Sequence, residues 1–177
     1  MQITGIVAEY NPFHMGHAYQ IQKIREILGQ ETGIVCVMSG DFVQRGEPAI
    51  FNKWIRAQKA IESGADLVIE LPAYYVLQSA EIFAHGAVKI LNDLKVVDAI
   101  SFGSESGDIS LIKKVSEIIA EPPKKYRDVL SEKLALGVGY PEASEYALRS
   151  CINIDDDKFF SPNNILAMCY VAAAKKI

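Results

Sequence analysis

The part of this sequence that most constrains the fold lies at its start, where an apolar run leads into a polar turn. Ile3–Ala8 has the length and composition of a buried strand, and Asn11-Pro12 ends it. Apolar residues then recur at helical spacing from about Gly16 onward. The sequence therefore predicts a strand that delivers a polar turn to the N-terminus of a helix.

This turn contains two histidines, His14 and His17, on either side of Gly16. The first N–H groups of a helix have no intrahelical acceptor and lie at the positive end of its dipole, so an anion binds there favourably. Glycine adds no side chain that would obstruct an approaching phosphate. The turn predicts a nucleotide site with the two histidines as donors. Packed or helix-capping histidines and a metal site are the alternatives.

The rest of the chain alternates apolar runs with helical patterns. We predict strands at 33–38, 67–69 and 97–102, and helices at 53–63, 79–94, 109–119, 124–136, 141–151 and from 161 onward. Strands that alternate with helices form parallel sheets through right-handed crossovers. The predicted fold class is α/β, a doubly wound parallel sheet of the Rossmann-like kind, in a single domain over residues 1–177.

Ligands of such sheets bind at the carboxyl ends of the strands, where the strand order reverses. If the order is 3-2-1-4, this point lies between the first and fourth strands, and Gly103 follows the fourth strand. The topology would then bring His14, His17 and Gly103 together. The polar loop 39–52 also leaves a strand at its carboxyl end and contains Arg45.

The predicted helix at 53–63 carries two stripes. We expect the apolar stripe to face the core; its members are Trp54, Ile55, Ala57, Ala60 and Ile61. The basic stripe, with Lys53 and Arg56, is either a solvated face or a contact for phosphate or a nucleic-acid backbone. Arg45 is the best placed of these cations for phosphate, because its loop leaves a strand end.

Composition limits the class of protein further. The 22 acidic and 18 basic residues give a net charge of −4, so any RNA contact must come from a local basic patch. Cys36, Cys151 and Cys169 form no C-x-x-C pair and are expected to be reduced core residues. The sequence shows no secretory signal and no apolar run of the ~20 residues that a bilayer requires. We therefore expect a cytoplasmic protein without a membrane partner.

Several motifs, taken together, point to one family. The segment 14–17 has the H-x-G-H form of the HIGH signature of nucleotidylyltransferases. The others are EYNPFH at 9–14, MSGDFVQRGEPA at 38–49, GADLVIELP at 64–72, FGSE at 102–105 and SPNN at 161–164. With these motifs in matching order from Ile3 to Tyr170, the chain resembles the bacterial tRNA(Met) cytidine acetate ligase family.

This resemblance implies a HIGH-type nucleotidylyltransferase fold and an ATP-dependent ligase with two reactions. Acetate and ATP, accompanied by Mg²⁺, give acetyl-adenylate and pyrophosphate. The wobble cytidine of elongator tRNA(Met) then takes the acetyl group and becomes N4-acetylcytidine. No protein nucleophile and no protein-bound metal are expected, and His14 and His17 would stabilise the charge that develops on the phosphate.

The resemblance also implies which residues bind ATP. They are Val7, Ala8, Glu9, Tyr10, Asn11, Pro12, Phe13, His14, Gly16, His17, Gly103 and one asparagine, Asn164 or Asn163. We favour Asn164 over Asn163. For Glu9 and Asn11 the alternative is a hydrogen bond that fixes the turn, and for Gly103 it is a tight turn.

Two features depart from the family pattern. Members carry a longer C-terminal part, with a further nucleotide-contacting arginine and much of the tRNA-binding surface, whereas this chain stops at Ile177. We therefore expect the adenylate-forming part of a ligase, or a shortened homologue. Asp41 stands where asparagine is commoner, and its charge would weaken phosphate binding. A small-molecule nucleotidylyltransferase of the phosphopantetheine adenylyltransferase type and a non-catalytic nucleotide- or RNA-binding module are the alternative functions.

Overall fold

Four parallel strands form the sheet in a computed structural model that describes residues 1–44, 46–156 and 158–177. The strands are β1 (Ile3–Ala8), β2 (Gly33–Ser39), β3 (Leu67–Leu71) and β4 (Ala99–Ser101). The helices are α1 (Met15–Leu28), α2 (Lys53–Glu62), α3 (Ala73–Val76), α4 (Ala80–Asp93), α5 (Ile109–Ala120), α6 (Lys124–Ala135), α7 (Tyr140–Cys151) and α8 (Pro162–Lys176). The strand order is β3-β2-β1-β4, which confirms the predicted α/β class and the conditional order.

The strand β1 is central and is covered on both faces. Ile6 belongs to a buried cluster that includes Ile21 and Ile24 of α1 and Ala60 of α2. The neighbouring Gly5 faces α4 instead, because a Cβ on this glycine would lie 2.6 Å from Leu91 Cδ1. The helices α1 and α2 therefore pack on one face and α4 on the other. Connections change face at β1, which makes the edge between β1 and β4 the topological switch point.

Most helix boundaries follow the predicted caps. Asp108 Oδ1 accepts a hydrogen bond from Leu111 N at 3.0 Å, α8 begins at Pro162, and Gly64 follows α2 with a φ of 109°. The short helix α3 was not predicted. The Tyr75 ring of α3 packs against Gly86 of α4, because a Cβ on Gly86 would lie 2.3 Å from Tyr75 Cγ. Gly86 thus allows α3 to pack closely on α4.

Helix α2 presents a different stripe to the core from the one predicted. Arg56 and Ala60 are buried, whereas Trp54 is 75% exposed and Ile55 and Ile61 are about half exposed. The prediction that this apolar stripe faces the core was therefore wrong for Trp54, Ile55 and Ile61 and confirmed for Ala60. The physical reason is that Arg56 finds acceptors for its donors inside the protein, which removes most of the cost of its burial.

The contacts divide the chain into two compact units, Met1–Gly103 with Ile177 and Ser104–Lys176. The first unit holds the sheet and α1 to α4. In the second unit α5 packs on α8 and α6 on α7, where the Tyr126 and Ser144 hydroxyls lie 2.9 Å apart. The prediction of a single domain over residues 1–177 stays a prediction.

All three cysteines are free, and Cys36 and Cys169 are buried, as predicted. Cys151 is only partly buried. In the described ranges of the chain, no helix has both the length and the apolar character needed to cross a bilayer.

Candidate functional site

The turn that leaves β1 is anchored in the core by Tyr10. Its ring is buried, and its hydroxyl lies 3.3 Å from the Cys36 sulfur. Burial raises the pKa of the Tyr10 phenol, which therefore stays neutral. Its backbone has a φ of 50°, a conformation that bulky residues rarely adopt. The Tyr10 side chain is thus part of the core, and its predicted contact with ATP is not favoured by this position.

His14 and His17 form a reciprocal cap at the start of α1. The Nδ1 atom of His14 accepts a hydrogen bond from Gly16 N at 3.1 Å. The Nδ1 atom of His17 accepts one from His14 N, also at 3.1 Å. The two rings stack with centroids 3.7 Å apart and an interplanar angle of 22°. Because each Nδ1 accepts a hydrogen bond, each neutral ring carries its proton on Nε2 and is a donor there.

Aromatic neighbours keep His17 neutral. The ring is half-buried, with its centroid 4.8 Å from that of Tyr10 and 5.3 Å from that of Phe13. This burial, together with the nearby His14, lowers the pKa of His17 to about 4. At neutral pH His17 is therefore an uncharged donor rather than a cation.

Gly16 and Gly103 leave room at this edge of the sheet for different reasons. A Cβ on Gly16 would lie 3.0 Å from His14 Cε1, so glycine preserves the position of that ring. Gly103 is exposed, and a Cβ there would have no described atom within 4 Å. Neither residue has a positive φ, so neither is explained by a strained turn. Since β4 lies beside β1, Gly103 and the turn with His14 belong to the same edge of the sheet.

The loop 39–52 is fastened to the turn through Glu9 and Asn11. The Glu9 carboxylate accepts a hydrogen bond from Gln44 N at 2.5 Å, and Asn11 Oδ1 accepts one from Ile50 N at 2.7 Å. The alternative role, hydrogen bonding to backbone, is therefore seen for both side chains. These bonds reach a second loop rather than closing their own turn, which the sequence alone did not indicate.

Arg56 is the buried cation of this region, and backbone carbonyls surround it. Its Nε donates to Phe51 O at 3.0 Å, and one terminal nitrogen donates to Glu9 O at 2.5 Å and to Ser39 O at 3.1 Å. The other terminal nitrogen donates to Gly40 O. These donors are aimed inward. A direct contact of Arg56 with phosphate or tRNA is therefore not favoured by the structure.

Lys53 is more accessible and is paired with acidic side chains. Its ammonium lies 2.7 Å from a Glu70 carboxylate oxygen and 3.9 Å from one of Asp41, and the bond to Glu70 raises its pKa. Exposed pairs of this kind contribute little stability, so Lys53 can exchange partners. Its contact with phosphate or tRNA stays a prediction. Arg45, the third cation predicted for this role, lies outside the described residues.

Comparison with known proteins identifies the family. A family model described as HIGH Nucleotidyl Transferase matches residues 1–177. The chain belongs to this family. Proteins named tRNA(Met) cytidine acetate ligase from Acetivibrio thermocellus and a Thermoanaerobacter species match the whole chain with 48% and 51% identity. The chain covers 43% and 44% of their lengths, so it spans less than half of these relatives.

A solved structure has the same fold. The crystal structure of Thermotoga maritima TmcAL bound with alpha-thio ATP superposes with a TM-score of 0.90 and 40% sequence identity. The match covers 99% of this chain and 44% of the other. These findings confirm the resemblance predicted from the motifs and the HIGH-type fold that it implied.

The second unit of this HIGH nucleotidyl transferase buries one of the two candidate asparagines. Asn164 Oδ1 accepts hydrogen bonds from Ser104 Oγ at 2.6 Å and Glu105 N at 3.1 Å, and its Nδ2 donates to Phe159 O at 2.9 Å. Asn163 is exposed. A side-chain contact with ATP would require Asn164 to give up internal bonds, so the structure does not favour Asn164 over Asn163. Both contacts stay predictions.

Glu105 has a role that the sequence analysis missed. Its carboxylate accepts hydrogen bonds from Asn163 N at 3.2 Å and Asn164 N at 3.0 Å, in the first turn of α8. Burial opposes ionisation, but the donors of this turn prevail and lower the pKa of Glu105. An acidic residue remote in sequence from the helix that it caps gives no local signal.

The remaining ATP candidates offer mainly backbone. Val7 and Ala8 are the last, partly buried residues of β1, and Phe13 packs against the core. Pro12 is exposed and follows a cis peptide bond. Their predicted contacts with ATP stay predictions.

The described part of the chain contains no group of three or more His, Cys, Asp or Glu side chains placed to hold a metal ion. His14 and His17 use Nδ1 in the helix cap.

Two substitutions at His14 separate its capping atom from its outer nitrogen. Asparagine places an acceptor oxygen where His14 has Nδ1 and is a favoured N-cap residue, whereas alanine has no acceptor. We expect His14→Asn to leave the free energy of unfolding nearly unchanged and His14→Ala to lower it by about 1 kcal/mol. Urea denaturation monitored by circular dichroism measures both. Equal stability of the two variants would contradict the capping role.

Proposed function

We propose that this chain activates acetate with ATP as the adenylate-forming part of a tRNA(Met) cytidine acetate ligase. The first step forms acetyl-adenylate and pyrophosphate. In the second step the acetyl group passes to the N4 amine of the wobble cytidine in elongator tRNA(Met). The names of the relatives and the neighbour bound with alpha-thio ATP support this proposal.

The observation that carries the proposal is the pair of Nε2–H donors on His14 and His17. Their Nδ1 atoms are held by the cap of α1, so both outer nitrogens carry hydrogen at neutral pH. The rings stand at the N-terminal end of a helix, where backbone dipoles also favour an anion. Two fixed donors beside a helix N-terminus suit the triphosphate of a nucleotide.

Adenylate formation requires positioning and charge stabilisation rather than a protein nucleophile. A carboxylate oxygen of acetate attacks the α-phosphorus in line, and the bond from this phosphorus to the bridging oxygen breaks as pyrophosphate leaves with the electron pair. Negative charge grows on the phosphate oxygens during this exchange. Donors that are already oriented stabilise this charge without reorganisation, and this is the role that we assign to His14 and His17.

The second step consumes the mixed anhydride. The cytidine amine attacks the acetyl carbon, the bond to the AMP oxygen breaks, and the amine loses one proton. We assign no residue of this chain to the step. Mg²⁺ would accompany ATP, and a protein that modifies tRNA would act in the cytoplasm.

Acetate-dependent exchange of labelled pyrophosphate into ATP tests the proposed function. We expect the 177-residue chain to catalyse exchange with acetate and not with a phosphopantetheine-type acceptor. His14→Asn should lower the exchange rate about 10²–10³-fold while the protein stays folded, because asparagine keeps the cap but lacks the outer donor. Exchange that depends on the phosphorylated acceptor instead would favour a small-molecule transferase. ATP binding without exchange, even after the C-terminal part of the family is supplied, would favour a non-catalytic module.

Gly103 offers a second test, because its open surroundings suit a bound adenosine. Gly103→Ala should leave stability unchanged and weaken ATP binding about tenfold, since the added methyl group would occupy ligand space. Gly139→Ala is the matched control, because a Cβ at Gly139 also meets no described atom within 4 Å. Isothermal titration with a non-hydrolysable ATP analogue measures the affinities. Equal affinity of both variants and wild type would leave Gly103 as a turn residue only.

A further inference from the structure

Arg56 is the one large charged side chain among the most deeply buried residues that the structure describes, at 1% exposure. Taking a guanidinium out of water costs free energy unless its donors are satisfied. Within the described residues, its hydrogen bonds go to four carbonyl groups, those of Glu9, Ser39, Gly40 and Phe51. Carboxylates influence it only at longer range.

These carbonyl groups come from three separate segments of the chain. Glu9 follows β1 and begins the turn that leads to His14. Ser39 and Gly40 lie at the carboxyl end of β2, where the loop 39–52 begins. Phe51 lies where the same loop ends, next to the N-cap of α2. The planar guanidinium of Arg56 therefore connects the turn with His14 and His17 to both ends of the loop.

Two further hydrogen bonds act in parallel with Arg56. The Glu9 carboxylate holds Gln44 N, and Asn11 Oδ1 holds Ile50 N. The loop also closes on itself, with Val43 N donating to Glu47 O at 2.9 Å. Among the described residues of the loop 39–52, the two ends and the amides of Gln44 and Ile50 are thus held by hydrogen bonds. The turn beneath it has little freedom to move.

We propose that Arg56 is a positioning residue for adenylate formation: it locks the loop 39–52 to the turn so that His14 and His17 keep their reactive geometry. This inference rests on the proposed function for its kinetic part. The hydrogen bonds of Arg56 in the described residues do not reach either histidine. Arg56 acts by fixing the Glu9 carbonyl, five residues before His14.

Lysine is the informative replacement, because it keeps the positive charge but not the planar fork that reaches several carbonyl groups at once. Displacement of a reacting group by about 1 Å is enough to lower a rate about 10²-fold. We therefore expect Arg56→Lys to lower kcat for acetate-dependent exchange about 10²-fold and to leave KM for ATP nearly unchanged. If Arg56 contacted phosphate directly, the substitution would instead raise KM for ATP and change kcat little.

Arg25→Lys is the matched control. Arg25 lies in the same unit and pairs with Asp66 at 3.3 Å, but the bonds described for its side chain do not reach the turn or the loop. We expect this variant to exchange pyrophosphate at the wild-type rate.

Asn11→Ala is the milder second variant, because it removes a single bond to the loop at a partly buried side chain. It should lower kcat in the same direction as Arg56→Lys.

Amide hydrogen exchange of Gln44 and Ile50 provides a measurement independent of catalysis. Both amides donate to side chains of the turn, so Arg56→Lys should raise their exchange rates and Arg25→Lys should not. If the wild type does not exchange pyrophosphate in the presence of acetate, the proposed function is rejected. The amide exchange rates would still test whether Arg56 holds the loop 39–52 to the turn. Unchanged amide rates or unchanged kcat in folded Arg56→Lys would overturn the inference. Failure of both Arg56→Lys and Asn11→Ala to fold would also overturn it, because the network would then serve folding alone.

Discussion

The structure depends on the reciprocal hydrogen bonds that His14 and His17 make at the start of α1. The bonds satisfy backbone N–H groups that a helix N-terminus would otherwise leave without acceptors. They also decide which nitrogen of each ring carries the proton. Helix capping and phosphate recognition, which the sequence presents as competing interpretations of the two histidines, are therefore compatible. Nδ1 of each ring accepts a hydrogen bond in the helix cap, and Nε2 can bind a ligand.

The surroundings of this cap restrict movement and charge. Tyr10 and Phe13 lower the polarity around His17 and keep it uncharged at neutral pH. Arg56 donates hydrogen bonds to carbonyl groups from three segments, at Glu9, at Ser39 and Gly40, and at Phe51. A site that is organised before the substrate arrives avoids reorganisation during the reaction, which is the main advantage of fixed donors.

Much of this fold could be predicted from the sequence, because apolar runs and caps are local signals. The strand order was only assumed for a doubly wound sheet and comes from the structure, whereas the turn with His14 followed from its motif. The burial of Arg56 could not be predicted, since most of the carbonyl groups that accept its hydrogen bonds come from segments distant in the sequence. The exposure of Trp54 on the same helix was not indicated by the sequence either. The burial of Asn164 also depends on a distant partner, because its Oδ1 accepts a hydrogen bond from Ser104 Oγ. Periodicity assumes that polar residues face water, and it fails where the fold itself supplies the polar partners.

The protonation pattern of the two imidazoles is the central claim, and long-range ¹H–¹⁵N correlation spectroscopy of the histidine rings at neutral pH measures it directly. The account predicts that in each ring Nδ1 accepts the cap hydrogen bond and the hydrogen is on Nε2. It also predicts that a non-hydrolysable ATP analogue shifts the Nε2 signals of both rings. A proton on Nδ1 of either ring, or Nε2 signals that do not respond to the nucleotide, would contradict it.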